Sequence, residues 1–159
     1  NYLVKLRSSL SKITKRYDVI LIDCPPTLGL LSMNSLCAAH YLLVTLQSEY
    51  LALEGLGQIV GIIDQLKKSR ANPRLELGGI AMTMYDHRTR LAQEVLQEVK
   101  KHYPAKIFKT SIPRTIRLSE APSFGQTIFE YDPQGPGSKA YQNLGKEVLK
   151  RFFPKAKKR

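Results

Sequence analysis

The chain has 159 residues, 43% of them hydrophobic, and a formal net charge of +12. That length accommodates one ordinary domain with its own core, and no apolar run reaches the roughly 20 residues that cross a bilayer as a helix. Cys24 and Cys37 stand apart without a C-x-x-C spacing, and His40, His87 and His102 are scattered, so the pattern encodes neither a disulfide framework nor a metal or iron–sulfur centre; the thiols read as reduced, cytosolic ones. The positive balance favours a polyanionic partner, nucleic acid or an anionic membrane surface.

In chain order, residues 3–14 read as an amphipathic helix with Leu3, Leu6, Leu10 and Ile13 on one face. The chain opens abruptly inside it, with no Met and no signal-peptide layout, as expected of a chain cut upstream. Residues 18–23 read as a strand buried on both faces, because the run Val19-Ile20-Leu21-Ile22 is uniformly apolar and Pro25-Pro26 cannot continue a ladder. Asp23 then ends a central strand, where open α/β sheets bind ligands. A carboxylate in that place is the Walker B arrangement, which holds Mg²⁺, usually through water, beside a nucleoside triphosphate. An aspartate that only caps the next turn fits the pattern equally well.

A short helix follows at 32–39 and an apolar strand at 41–46. Residues 53–68 form a long helix, with Leu53, Leu56, Ile59, Val60, Ile63 and Leu66 at helical spacing, and Asn72-Pro73 breaks it. A strand at 77–84, a helix at 89–102, a short strand at 106–109, a proline-bearing loop over 110–126 and a helix at 138–152 complete the order. Alternating apolar strands and helices predict an α/β fold with a mostly parallel sheet covered by helices.

The loop that would accompany a Walker B aspartate is missing. No G-x-x-x-x-G-K-[ST] string, whose amides cradle phosphates, occurs in the sequence. Gly145-Lys146 lacks the upstream glycine and the hydroxyl residue. Gly135-Pro136-Gly137-Ser138-Lys139 has the composition without the order, and its proline removes an amide donor. Gly55-Leu56-Gly57 sits in a helical pattern and reads as a close-packing site. Six of the 25 basic residues fall in the last ten positions: Lys150, Arg151, Lys155, Lys157, Lys158 and Arg159. Further groups occur at Lys67-Lys68-Arg70 and Arg88-Arg90.

Several segments, in order, resemble one family. Asp23-Cys24-Pro25-Pro26-Thr27-Leu28-Gly29-Leu30-Leu31 is similar to the Walker B segment of the ParA/Soj chromosome- and plasmid-partition ATPases. The stretches from Gln47 to Leu56, from Thr83 to Thr89 and from Ile112 to Ser123 resemble that family's EYxALEGL, TMYDxRT and IPRNVRLSEAPS segments. Tyr131-Asp132-Pro133, Gly137 and Ala140-Tyr141 complete the set, and the likeness extends to about Phe152. It implies a P-loop NTPase-like sheet, incomplete at the N-terminus, with residues 1–153 forming the C-terminal part of the nucleotide-binding domain and 154–159 a basic tail. The family's deviant Walker A loop and the aspartate that orients the attacking water have no counterpart in this sequence.

The resemblance also assigns roles. Asp23 becomes the Mg²⁺-site carboxylate, acting through water, and Pro25 and Pro26 shape the turn after it. Thr83 and Met84 begin the adenine pocket, and Ile112, Pro113 and Arg114 form its other wall. Plain strand-to-loop packing is the alternative for these residues. Arg88 and Arg117 match positions of non-specific DNA binding, where guanidinium forks grip phosphate; Arg117 could instead pair with Glu120 at i, i+3. The implied function is an ATP- and Mg²⁺-dependent partition ATPase, bacterial, cytoplasmic and nucleoid-associated. Its ATP-bound homodimer would bind DNA without sequence preference and answer to a ParB-type partner. This chain, without the phosphate loop, is expected to be inactive alone and to hold no cofactor firmly. A MinD-like membrane-associated ATPase, suggested by the apolar face ending at Phe152-Phe153, and a non-enzymatic DNA-binding fragment are the alternatives; Pro154 cuts the apolar face short, which weighs against a membrane role.

Overall fold

The computed structural model describes residues 2–25 and 27–154. Its elements are α1 (Lys5–Ser11), α2 (Leu30–Ala38), β1 (Tyr41–Gln47), α3 (Tyr50–Lys68), β2 (Glu76–Thr83), α4 (Arg90–His102), α5 (Ile116–Glu120), α6 (Ile128–Tyr131) and α7 (Pro136–Phe152), with short 3₁₀ turns at Tyr2–Val4, Thr14–Arg16 and Ala121–Phe124. The fold is α/β, with a parallel sheet flanked by helices, and β1 and β2 are neighbours in it. Burial along β2 is nearly continuous over residues 78–82, as a strand enclosed on both faces requires, whereas β1 alternates buried and exposed and leaves Tyr41 and Leu43 open.

The chain divides into two compact units, Asn1–Leu42 with Gly57–Gly78 and Leu43–Leu56 with Gly79–Arg159. The core of the first is Leu36, Cys37, Ile63, Leu66 and Leu75, with Leu3, Met33, Leu42 and Ile62 packed against it. Helix ends and loops here are tied by side chains. The buried Asn72 donates through Nδ2 to the carbonyls of Leu36 (2.8 Å) and Ala39 (2.7 Å), and Arg7 donates to the carbonyls of Cys37 and Ala71. Burial pushes the Cys37 thiol above its ordinary pKa, against the opposing pull of the Arg7 charge.

In the second unit α4 starts at the cap Thr89, whose hydroxyl accepts from the Ala92 amide, and buries Ala92, Val95 and Val99 at helical spacing. Gly135 precedes α7 and Pro136 opens it, a preorganised helix start. The first turns of α7 bury Gly137, Ser138 and Ala140, small residues that permit close approach. A Cβ on Gly137 would lie 3.1 Å from Leu118 Cγ.

Four expectations need correction. Residues 18–23 are not a strand: Asp18 is a bend, residues 19–23 carry no regular structure and make no ladder bonds among the described residues, and Leu21 is 83% exposed. A strand persists only where a neighbour accepts its ladder bonds, and among the described residues no strand lies alongside this run. The expected strand at 106–109 reduces to one parallel bridge, Ile80↔Ile107. The loop over 110–126 contains α5 and a 3₁₀ turn. Gly55 and Gly57 are not close-packing sites, since a Cβ on either would meet nothing within 4 Å among the described residues.

Candidate functional site

The site begins with a mismatch of register. Ile80 pairs with Ile107, and Tyr85 with Pro113, both in parallel. Five steps on one side therefore match six on the other, and the ladder must break between the two bridges. On the β2 side the break falls at Met84, whose φ of 49° puts a side-chain-bearing residue in the left-handed region. On the other side it falls after Phe108. The Phe108 amide still donates to the Ile80 carbonyl (2.9 Å), but the next ladder donor is Ile112, to Met82 (2.8 Å). Pairing resumes when Tyr85 donates to the Ile112 carbonyl (3.0 Å) and Arg114 to the Tyr85 carbonyl (3.3 Å).

The splayed ends enclose a cleft of about 470 Å³ lined by Thr83, Met84, Ile112, Pro113, Arg114 and Thr115 on the two segments, with Ile116, Leu118, Ser119 and Tyr141 around them. Its size and its mix of apolar and polar lining are those of a small-ligand cleft. Five of the seven residues expected in a nucleotide pocket thus share one cleft. Thr115 anchors the far side, its hydroxyl accepting from the Leu118 amide (3.2 Å) to start α5. Ile116, Leu118, Ser119 and Tyr141 were not expected as lining residues, although each stands in a segment that carries the family resemblance.

Asp23 and Pro25 belong to the first unit. Asp23 is exposed, and nearby Ser32 of α2, a buried residue, donates from its hydroxyl to the carbonyls of Pro25 (3.4 Å) and Thr27 (2.5 Å). The neighbouring Pro26 lies outside the described residues. No cluster of three or more His, Cys, Asp or Glu that could hold a metal exists among the described residues. A lone exposed carboxylate does not suit a resident metal. It does suit Mg²⁺, which keeps most of its water and binds through one or two carboxylates plus substrate phosphates.

Both arginines are exposed and both have carboxylate partners. Arg88 grips Asp86 in a fork, Nε to Oδ1 at 2.9 Å and Nη2 to Oδ2 at 2.7 Å. The Arg88 side-chain and backbone bonds hold the Asp86 carboxyl well below the usual carboxylate range, so the pair stays ionised. Arg117 forms the i, i+3 pair with Glu120 (3.3 Å), lies 5.7 Å over the Tyr131 ring, and Tyr131 in turn donates to Glu120 (3.0 Å) and stacks on Phe124. Of the six tail charges, Arg151 is not free tail: it donates to the carbonyls of Lys106 (2.7 Å) and Ile107 (3.3 Å) and stacks 4.1 Å over the Phe108 ring. Residues 155–159 of the tail lie outside the described residues.

Comparison with known proteins bears on this geometry. A family model described as AAA domain matches residues 1–77. The chain is 45% identical over 155 residues to the chromosome partitioning protein ParA of Myxococcus xanthus, covering 98% of this chain and 54% of that protein. It is 46% identical over 145 residues to the sporulation initiation inhibitor protein Soj of Bacillus subtilis, covering 91% of this chain and 57% of that one. Among solved structures it resembles the cobyrinic acid a,c-diamide synthase of Mycobacterium smegmatis with bound ATP analogue and magnesium, at a TM-score of 0.79 and 33% identity over 96% of this chain and 56% of that one. The chain spans about half the length of the curated relatives it matches. With 44–49% identity to relatives of these names along nearly all of its residues, it belongs to the ParA/Soj family of partitioning ATPases.

Proposed function

We propose that this chain supplies the base cleft, the Mg²⁺-site carboxylate and the DNA-facing arginines of an ATPase that partitions chromosomes or plasmids. The observation that supports it best is the cleft: Thr83 and Met84 come together with Ile112, Pro113 and Arg114 from a segment about thirty residues away, at strand ends, in a space of about 470 Å³. In this reading the adenine of ATP sits there, and Asp23 orients Mg²⁺ through water beside the phosphates, with Pro25 setting the turn. When bound, Mg²⁺ neutralises charge on the transferred phosphoryl group. Arg88 and Arg117 hold DNA phosphates without reading bases. ATP joins two copies as a homodimer, and a ParB-type partner stimulates turnover at the nucleoid, in the cytoplasm.

This chain has no phosphate-cradling loop in its sequence, and phosphoryl transfer depends on that loop and its lysine. The 159 residues alone are therefore inactive as an ATPase. The decisive experiment compares ATP turnover of a full-length protein containing this chain with that of its Asp23→Ala variant. The expected result is a loss of Mg²⁺-dependent turnover with an unchanged melting temperature. An unchanged rate reassigns Asp23 to capping its turn. Turnover by the 159-residue chain alone, abolished by the same substitution, would contradict the assignment of inactivity.

A further inference from the structure

The wall of the cleft has a holder outside the cleft. Between Phe108 and Ile112 the segment leaves the β2 ladder, and the freed backbone groups there turn to α7. Glu147 accepts from the Lys109 amide (2.9 Å), the Thr110 amide (2.8 Å) and the Thr110 hydroxyl (2.5 Å). One turn later Arg151 donates to the carbonyls of Lys106 and Ile107. One helix thus presents an acceptor and a donor, four residues apart, to amides and carbonyls of a single five-residue stretch. The match is polar and directional, and each of these bonds involves a charged side chain, the stronger class. Gly79 makes room for it, since a Cβ there would lie 2.6 Å from Phe108 Cζ and 2.8 Å from Arg151 Nη1.

Thr110 is two residues from Ile112, where the cleft wall starts. We propose that Glu147, with Arg151 beside it on α7, is a positioning clamp that fixes the 112–114 wall, so that affinity for the purine base depends on a helix carboxylate that touches no ligand. The inference rests on the cleft being the base site. Without the clamp, the extra residues of the break are free to shift, and the carbonyl and amide of Ile112 lose their fixed register with Met82 and Tyr85. A group that holds phosphate elsewhere is untouched by that shift. The clamp therefore acts on base recognition and not on triphosphate recognition.

The test measures equilibrium binding of ATP and of inorganic tripolyphosphate to a full-length protein containing this chain, with Mg²⁺, for wild type, Glu147→Ala and Glu147→Gln. Wild type should prefer ATP. Glu147→Ala should weaken ATP about tenfold, the equivalent of one charge-assisted hydrogen bond, and leave tripolyphosphate unchanged. Glu147→Gln, which keeps one acceptor oxygen and guards against misfolding of the alanine variant, should fall between. Hydrogen exchange at the Lys109 and Thr110 amides should quicken in both variants. If wild type prefers ATP and both variants bind it as wild type does, the clamp is overturned while the base cleft stands. If wild type binds tripolyphosphate as tightly as ATP, the base cleft itself is wrong and the clamp falls with it. Equal weakening of both ligands would also overturn it, because that is the signature of general destabilisation.

Discussion

Gly79→Ala probes the packing that carries the cleft wall. The new Cβ would lie 2.6 Å from Phe108 Cζ and 2.8 Å from Arg151 Nη1, closer than real Cβ atoms approach their neighbours. Phe108 is 2% exposed, so its ring has no solvent to swing into and must push its neighbours. Overpacking of this kind costs about 1–3 kcal/mol. Arg151 is flexible and can withdraw, but it then leaves the Lys106 and Ile107 carbonyls, at about 1–2 kcal/mol more. The sum is about 3 kcal/mol, or a melting temperature lower by about 6–12 °C for a domain of this size. Thermal unfolding followed by far-ultraviolet circular dichroism measures it. Gly57→Ala serves as control, because its Cβ meets nothing within 4 Å among the described residues; it should raise stability by about 1 kcal/mol through helix propensity. Combining Gly79→Ala with Arg151→Ala should cost less than the two changes summed, since both disrupt the same packing. A Gly79→Ala protein melting within about 2 °C of wild type would refute the packing argument.

Other outcomes follow from the same geometry. Arg88→Ala with Arg117→Ala should weaken DNA binding by the ATP-bound full-length protein similarly across unrelated sequences and lower the log–log salt slope by about 0.9 for each phosphate no longer neutralised. Asp86→Asn, which releases the Arg88 fork, should tighten it; if deleting residues 154–159 abolishes binding while the arginine pair is dispensable, DNA is held by the tail instead. Asn72→Ala should destabilise the domain by about 2 kcal/mol in urea titrations, because it strands two carbonyls beneath a buried side chain; a change within error would show that water reaches them. For Glu147, burial alone would raise the carboxyl, but the Thr110 hydroxyl, the Lys109 and Thr110 amides and the Arg151 charge outweigh it and hold the pKa below the ordinary value. Its stabilising contribution is therefore present above the unfolded glutamate pKa of about 4.3 and lost as pH falls through the lower folded value. The stability gap between wild type and Glu147→Gln should close on acidification from pH 7 toward pH 3, and a constant gap would deny the bond its charge.

Period and punctuation made most elements legible. α3 and α4 followed from apolar spacing, because an amphipathic helix declares its buried face in every turn, whereas the cap Thr89 and the opening Pro136 went unread and α7 starts two residues before the expected 138. β2 followed from an apolar run. The run at 18–22 has the same local signal and a different outcome, because strand formation is settled by a neighbour and not by the segment. Residues 110–126 were unreadable for another reason. Pro113 and Pro122 signal breaks, yet the helices between and after them are four or five residues long and held by caps at Thr115 and Thr127 rather than by periodicity.

The cleft and Asp23 differ in the same physical way. Each wall of the cleft has its ladder partner within the chain: Met82 and Tyr85 fix Ile112 and Arg114, and α7 fixes the break between. Its shape is therefore a consequence of bonds made locally, and five residues assigned from the family resemblance line it. Near Asp23, among the described residues, Ser32 bonds the carbonyls of Pro25 and Thr27 and not Asp23 itself. A carboxylate on an exposed segment without ladder bonds cannot be aimed by the segment itself, since such a chain samples many directions. If Asp23 is the Mg²⁺ carboxylate, its aim must come from pairing of residues 18–22 with another strand. Amide exchange at Val19 to Ile22 should then be fast in this chain and slow in an active full-length protein that contains it. Equal exchange in both would mean that an unpaired segment carries Asp23 in the working enzyme, and would remove the ground for placing Mg²⁺ beside it.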